Sequence, residues 1–293
     1  MNMISVIICS KDKGLLQKVS NSIEETIGVA YEIIAVENPN GKIGICQAYN
    51  LGATRAKYDL LCFSHEDVIY HTPNWGANLA RHLQNKEVGV VGVVGCLIKP
   101  KSPSGVWLNN RAVDRLSMFQ TDADGKPYHV CVNPHNEKIS EVKTLDGVFL
   151  ACRKEVWQAN RFDEENLKNF HGYDVDFSLQ VSRSFKNYVV YDIQLEHLSY
   201  GFNNPAWVES VMIVEKKWQR QLPSFTSDFD KSLLNCIEHY SLGYFLKAVI
   251  ENKLSLRRFV PYYLRMIGRK PLKKENLRLV RLYWQTRRKK ATT

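Results

Sequence analysis

At 293 residues, 44% apolar and 24% charged, the chain suits one large folded domain with an appendage, which excludes disorder over most of its length. The opening apolar run, Ile4–Cys9, is too short for a signal core, and no stretch approaches the ~20 apolar residues of a membrane span, so a cytoplasmic, non-integral protein is expected. The net charge of +10 is uneven: residues 222–293 hold 16 Lys/Arg against 5 Asp/Glu, and residues 1–221 hold 24 against 25.

Ile4–Cys9 reads as a buried strand, followed by Leu15, Val19 and Ile23 at helical spacing. Tyr31–Val36 predicts a second strand, Ile43–Ala56 a helix, Tyr58–Phe63 a third strand, residues 75–84 a helix and Val88–Ile98 a strand. This alternation predicts a mostly parallel α/β sheet with helices on both faces. Residues 99–140 lose the pattern; their prolines and Asp124-Gly125 predict loops and hairpins. Val142–Cys152 then reads as a strand, Lys154–Ala159 as a helical turn, Asp174–Phe185 as a helix and Tyr188–Asp192 as a strand. Asn204-Pro205 is a helix start before an apolar stripe of Trp207, Val211, Val214 and Trp218. Basic helices follow Pro223. The seven cysteines (9, 46, 62, 96, 131, 152 and 236) form no C-x-x-C, which supports neither a zinc knuckle nor a disulfide framework and suits a reducing compartment.

Ligands of such sheets bind beyond the carboxyl ends of the strands. Acidic residues fall there: Asp12 after the first strand, Glu37 after the second, and Glu66-Asp67 after the third. Adjacent carboxylates in that place suit either a solvated loop or a hard divalent cation such as Mg²⁺ or Mn²⁺ carrying substrate phosphates. Asp174 and Asp176 stand at a predicted helix start, where they would cap the helix and complement its dipole, or supply a general base. The dipole there would keep Asp174 ionised. His197 follows the last predicted strand and joins a site only if the fold carries it to Asp67.

Five segments in order resemble the family 2 glycosyltransferases of GT-A fold. Ser5–Asp12 is similar to their opening strand, and Asn40–Ala53 resembles their N-x-G-x-x-x-A-x-N-x-G stretch. Ser64–Val68 occupies the place of the D-x-D metal motif, reading His65-Glu66-Asp67. Asp146–Trp157 resembles the acceptor-side strand, and Phe162-Asp163-Glu164 with His171–Phe177 the "FDE … ED-x-D" region, with Tyr173 in place of the usual Glu. The resemblance covers about residues 3–220 and comes nearest to the StrF-like (streptomycin biosynthesis protein-like) subgroup.

The resemblance implies a GT-A domain over 1–221, with 99–140 an irregular acceptor-side segment, and a basic helical extension over 222–293. It implies transfer with inversion from a nucleoside-diphosphate sugar to a saccharide or lipid-linked acceptor, as in surface polysaccharide synthesis. Ser10, Asp12 and Glu37 would contact the nucleotide, with Gly44 and Asn50 on the donor side. Asp67 would hold Mn²⁺ or Mg²⁺, with Glu66 and His197 as further ligands. Asp174, with Asp176 beside it, would be the base. Asp146, Gly147, Trp107 and His171 would face the acceptor.

Residues 253–293 hold 14 Lys/Arg and one Asp/Glu among Leu, Phe, Tyr and Trp. Such a segment suits an anionic membrane surface, placing the protein peripherally at the inner face of the cell membrane, or a solvated helix pair packed on the domain. Two readings from other classes are a catalytically inactive nucleotide- or sugar-binding protein of the same fold, and nucleic-acid binding through the tail. No RRM, zinc-finger or helix-turn-helix signature accompanies the tail, so no nucleic-acid partner is expected.

Overall fold

β1 (Ile4–Ser10) is buried along its whole length. Its side chains alternate between two apolar cores: Ile7 and Cys9 pack on one face, Ile4, Val6 and Ile8 on the other. In the computed structural model, which describes residues 3–122, 124–199, 201 and 203–288, this strand is central. Through α1 (Lys13–Thr26) and α2 (Ile45–Arg55) it pairs in parallel with β2 (Tyr31–Glu37) and β3 (Leu60–Ser64). Asp12 caps α1 by accepting from Gly14 N and Leu15 N.

β4 (Val68–Tyr70), α3 (Trp75–Leu83) and β5 (Val88–Gly92) follow. The run 88–98, expected as one strand, is three: β5, β6 (Val94–Cys96) and β7 (Ile98–Lys99) belong to three different sheets. The breaks have no sequence period of their own, because every residue in the run is buried. The segment 99–140 contains a long hairpin, β8 (Asp114–Thr121) and β9 (Pro127–Val132), which turns near Gly125 at φ +79°. The expected strand 142–152 is likewise divided. β10 (Ile139–Val142), β11 (Thr144–Leu145) and β12 (Phe149–Arg153) are separated at Asp146-Gly147.

After α4 (Lys154–Ala159) and α5 (Tyr173–Val181) come β13 (Lys186–Val190), β14 (Leu195–His197) and α6 (Pro205–Trp218). The main sheet has seven strands in the order β10-β13-β5-β12-β3-β1-β2, with β12 antiparallel to both its neighbours. A second sheet runs β11-β6-β8-β14-β4, with β9 beside β8. The fold is α/β with a mostly parallel central sheet, as expected.

β15 (Ser224–Phe225) pairs with β7. A 3-10 turn then leads into α7 (Leu234–Glu251), α8 (Leu256–Arg269) and α9 (Lys274–Arg288), which form the helical extension. These pack with Trp207, Val208 and Val211 of α6 around a third core containing Phe245, Phe259, Met266 and Tyr283. The charge break near residue 222 does not mark a hinge. Glu238, on α7, is 1% exposed, accepts from Lys101 N and Ser102 N, and contacts the Ser102 hydroxyl. Among the described residues no helix is long and apolar enough to cross a membrane.

Candidate functional site

The carboxyl ends of β1, β2 and β3 open onto one rim. Ser10 and Glu37 are partners in the β1–β2 register, and the β3 end continues into His65-Glu66-Asp67. On this rim His197 is brought to Asp67 by pairing of β14 with β4, where His197 stands opposite Val68. His197 Nε2 lies 3.4 Å from Asp67 Oδ2, and His65 Nδ1 lies 3.7 Å from Asp67 Oδ1. Ligand atoms of His65, Asp67 and His197 all fall within 4.8 Å of one another.

The surroundings shift these three groups in different directions. Burial opposes ionisation of Asp67, but His197, His65 and the Ser199 hydroxyl, which donates at 2.5 Å, keep its carboxyl well below the usual range. Burial opposes protonation of His197, yet Asp67 outweighs it and raises its pKa. Burial dominates at His65 and lowers its pKa. His65 Nε2 is 2.7 Å from the Tyr173 hydroxyl, which orients the ring so that Nδ1 faces Asp67. Gln120 Nε2 donates at 2.9 Å to the carbonyls of both His197 and Ser199, fixing the β14 edge. Two imidazoles and a carboxylate fit a first-row divalent ion such as Mn²⁺ better than the all-oxygen shell Mg²⁺ prefers.

Glu66, expected on the metal, is turned away from this cluster. Its Oε2 accepts from Lys11 N at 2.9 Å and Asp12 N at 3.1 Å, so it clamps the loop after β1. His65 rather than Glu66 stands beside Asp67, in the bend between β3 and β4.

Asp174 enters from the start of α5 and is half-buried. Its Oδ2 accepts from Gly147 N at 3.3 Å. Burial and then the charge of Asp146 push its carboxyl up to about 7, the reverse of the ionised state expected from the helix dipole. Gly147 is required here: a Cβ at that position would lie 1.9 Å from the Tyr173 hydroxyl. His171 is half-buried, and burial lowers its pKa against a hydrogen bond with Asn204.

Asp176 does not reach the rim. It is 0% exposed, accepts from Trp218 Nε1 at 2.7 Å, and takes Lys217 Nζ and Gln180 Nε2 at 2.9 Å each. It ties α5 to α6. Asn50 is also internal: its amide bridges Phe162 N and O and accepts from Trp157 Nε1. At Gly44 a Cβ would lie 2.4 Å from the Lys168 carbonyl, so this glycine serves close packing. Ser10 is 4% exposed and Glu37 is exposed at the rim, while both cap bonds of Asp12 go to one oxygen, Oδ1. Trp107 is half-buried and packs against the core that contains Ile8, Trp75 and Phe149.

The sequence matches the Glycosyltransferase like family over residues 5–222, well over half its length. The chain belongs to that family. Among solved structures, TarS residues 1–349 from S. aureus is similar at TM-score 0.54 and 13% identity, over 92% of this chain and 80% of that one. GalNAc-T7, solved with UDP, GalNAc and Mn²⁺, is similar at TM-score 0.53 and 13% identity, over 92% of this chain and 58% of that one. This chain therefore spans little more than half of the GalNAc-T7 chain. No curated protein matches the sequence. At such identity the likeness speaks to the fold, which is GT-A, with the helical extension added at the carboxyl end.

Proposed function

We propose that this protein is an inverting glycosyltransferase that moves a sugar from a nucleoside-diphosphate donor to a hydroxyl of a saccharide or lipid-linked acceptor. The observation that carries the reading is one juxtaposition. The His65–Asp67–His197 cluster and the Asp174 carboxyl share one rim, joined by the α5 segment that supplies both Tyr173 and Asp174. Family membership supports glycosyl transfer. That GalNAc-T7 was solved with UDP, GalNAc and Mn²⁺ supports a nucleotide donor and a divalent ion here. The motifs quoted above favour the StrF-like subgroup.

His65, Asp67 and His197 would hold the divalent ion, which when bound supplies positive charge against the leaving diphosphate. Ser10, Asp12 and Glu37 line the rim where the nucleotide would lie. Asp174 would take the proton of the acceptor hydroxyl as that oxygen attacks the anomeric carbon. A carboxyl held near 7 is matched to such a transfer at neutral pH. Asp146 would both tune Asp174 and orient the acceptor.

Thermal stabilisation by a panel of nucleotide sugars, with and without Mn²⁺, tests the donor site. At 100 times its dissociation constant a ligand stabilises by about 2.7 kcal/mol. Asp67→Ala should abolish the Mn²⁺-dependent part while leaving the unliganded melting curve intact. A variant that binds nucleotide and Mn²⁺ as tightly as wild type removes the assignment. Transfer of a sugar with the donor's anomeric configuration unchanged in the product removes the inverting mechanism.

A further inference from the structure

The charge of the carboxyl-terminal helices accounts for a solvated surface, but not for what α8 exposes. Leu256, Val260 and Leu264 recur every fourth residue and are 48%, 43% and 62% exposed. They form one stripe along a helix whose adjacent face buries Phe259 and Met266 in the third core. Further exposed apolar side chains follow: Leu272, Leu277 and Trp284 are 98%, 64% and 55% exposed. Over the described residues 253–288 there are 12 Lys/Arg and a single Glu. Apolar stripes inside a basic surface are matched to an interface that is greasy below and negative above.

The pocket between α6 and α8, lined by Lys101, Lys216, Arg258 and Arg265 against Glu209 and Glu215, opens on the side of α8 turned away from the stripe and takes no part in this contact. We propose that the α8 stripe seats this protein on an anionic phospholipid bilayer, with lipid phosphates met by the basic side chains around the stripe. This reading involves none of the rim residues and stands independently of the transfer reaction.

The test is flotation of the full chain with vesicles of phosphatidylcholine alone or mixed with phosphatidylglycerol. Wild type should float with the mixed vesicles and not with the neutral ones. The triple variant Leu256→Ser, Val260→Ser, Leu264→Ser alters only exposed positions, so its melting curve should be unchanged while its partition falls roughly tenfold or more. Arg257→Ala, at an exposed position adjoining the stripe, should lower partition about fivefold. Wild type that floats with neither vesicle overturns the proposal, as does a folded triple variant that floats like wild type. So does a stripe that proves to cover a second copy, seen as a wild-type dimer and a monomeric triple variant with no vesicle binding. Retention of random oligonucleotide without vesicle binding would assign the basic surface to nucleic acid and overturn it equally.

Discussion

Asp174 and Asp176 are two residues apart and meet different partners. Asp174→Asn preserves size and removes the proton acceptor; transfer should fall by ~10²–10⁴ with donor affinity near wild type, in an assay of product formation. Wild-type transfer should rise as pH increases through about 7, since only the ionised carboxyl accepts a proton. The same shift predicts stability. An ordinary carboxyl titrates near ~4 when unfolded, so the folded state with its higher value binds the extra proton and loses stability as pH rises from about 4 to about 7. Asp174→Asn removes that loss, and its melting temperature should exceed wild type by a margin that opens over this window and then levels. Asp176→Asn should instead cost about 2–4 kcal/mol by denaturant unfolding, because the amide keeps one acceptor oxygen of two and loses the charge that meets Lys217. Equal and modest effects of the two substitutions would leave both residues as helix-start carboxylates. The sequence offered Asp67 as an acidic group after a buried strand, and offered Asp174 over Asp176 only through the family resemblance. Tyr173, Ser199 and His65 act through bonds made by strand pairing and loop closure 108 and 132 residues apart in sequence, which no local pattern encodes.

At Gly147 a further residue-scale prediction follows from space alone. Gly147→Ala places a methyl 1.9 Å from the Tyr173 hydroxyl and should displace it from His65. Tyr173→Phe removes the oxygen and frees His65 to turn; Mn²⁺ affinity should fall about 10–100-fold, measured by calorimetry. The double variant should recover part of the stability lost in Gly147→Ala. No recovery would mean that the clash lies elsewhere.

At the scale of elements, the amphipathic or wholly apolar pieces were legible: β1, β2, β3, α1, α3 and α6 fall within a few residues of expectation. What was not legible is where a continuous apolar run changes sheets. Residues 88–98 are buried throughout, so hydrophobicity gives no period by which to divide β5 from β6 and β7. The antiparallel setting of β12 was equally hidden, because direction is set by the distant loop that returns it between β3 and β5. One element-scale contact is open to test. Glu238→Ala deletes the acceptor for two backbone amides of residues 101–102 and removes the charge that most favours protonated Lys99, which is 0% exposed. A loss of about 3–5 kcal/mol is expected from denaturant unfolding, with α7 detaching from that loop. A loss within 0.5 kcal/mol would show the two parts to be energetically separate.

For the molecule as a whole, composition suggests a basic appendage beginning near residue 222, and packing draws a different line. α6 has Val214 and Trp218 in the core of the α/β domain, and Trp207, Val208 and Val211 in the core of the helical extension. The same helix donates Lys217 and Trp218 to Asp176 on α5, one turn from the start of the helix that presents Asp174. Local opening of the carboxyl-terminal helices therefore cannot stay local. Amide protons of α5 and α6 should exchange with deuterium as one cooperative unit, at a free energy close to that of α7 rather than that of the surface loops. Asp174 is held from behind by a helix rooted in the carboxyl-terminal core, so the rigidity of the rim is set by the folding of the distant helices.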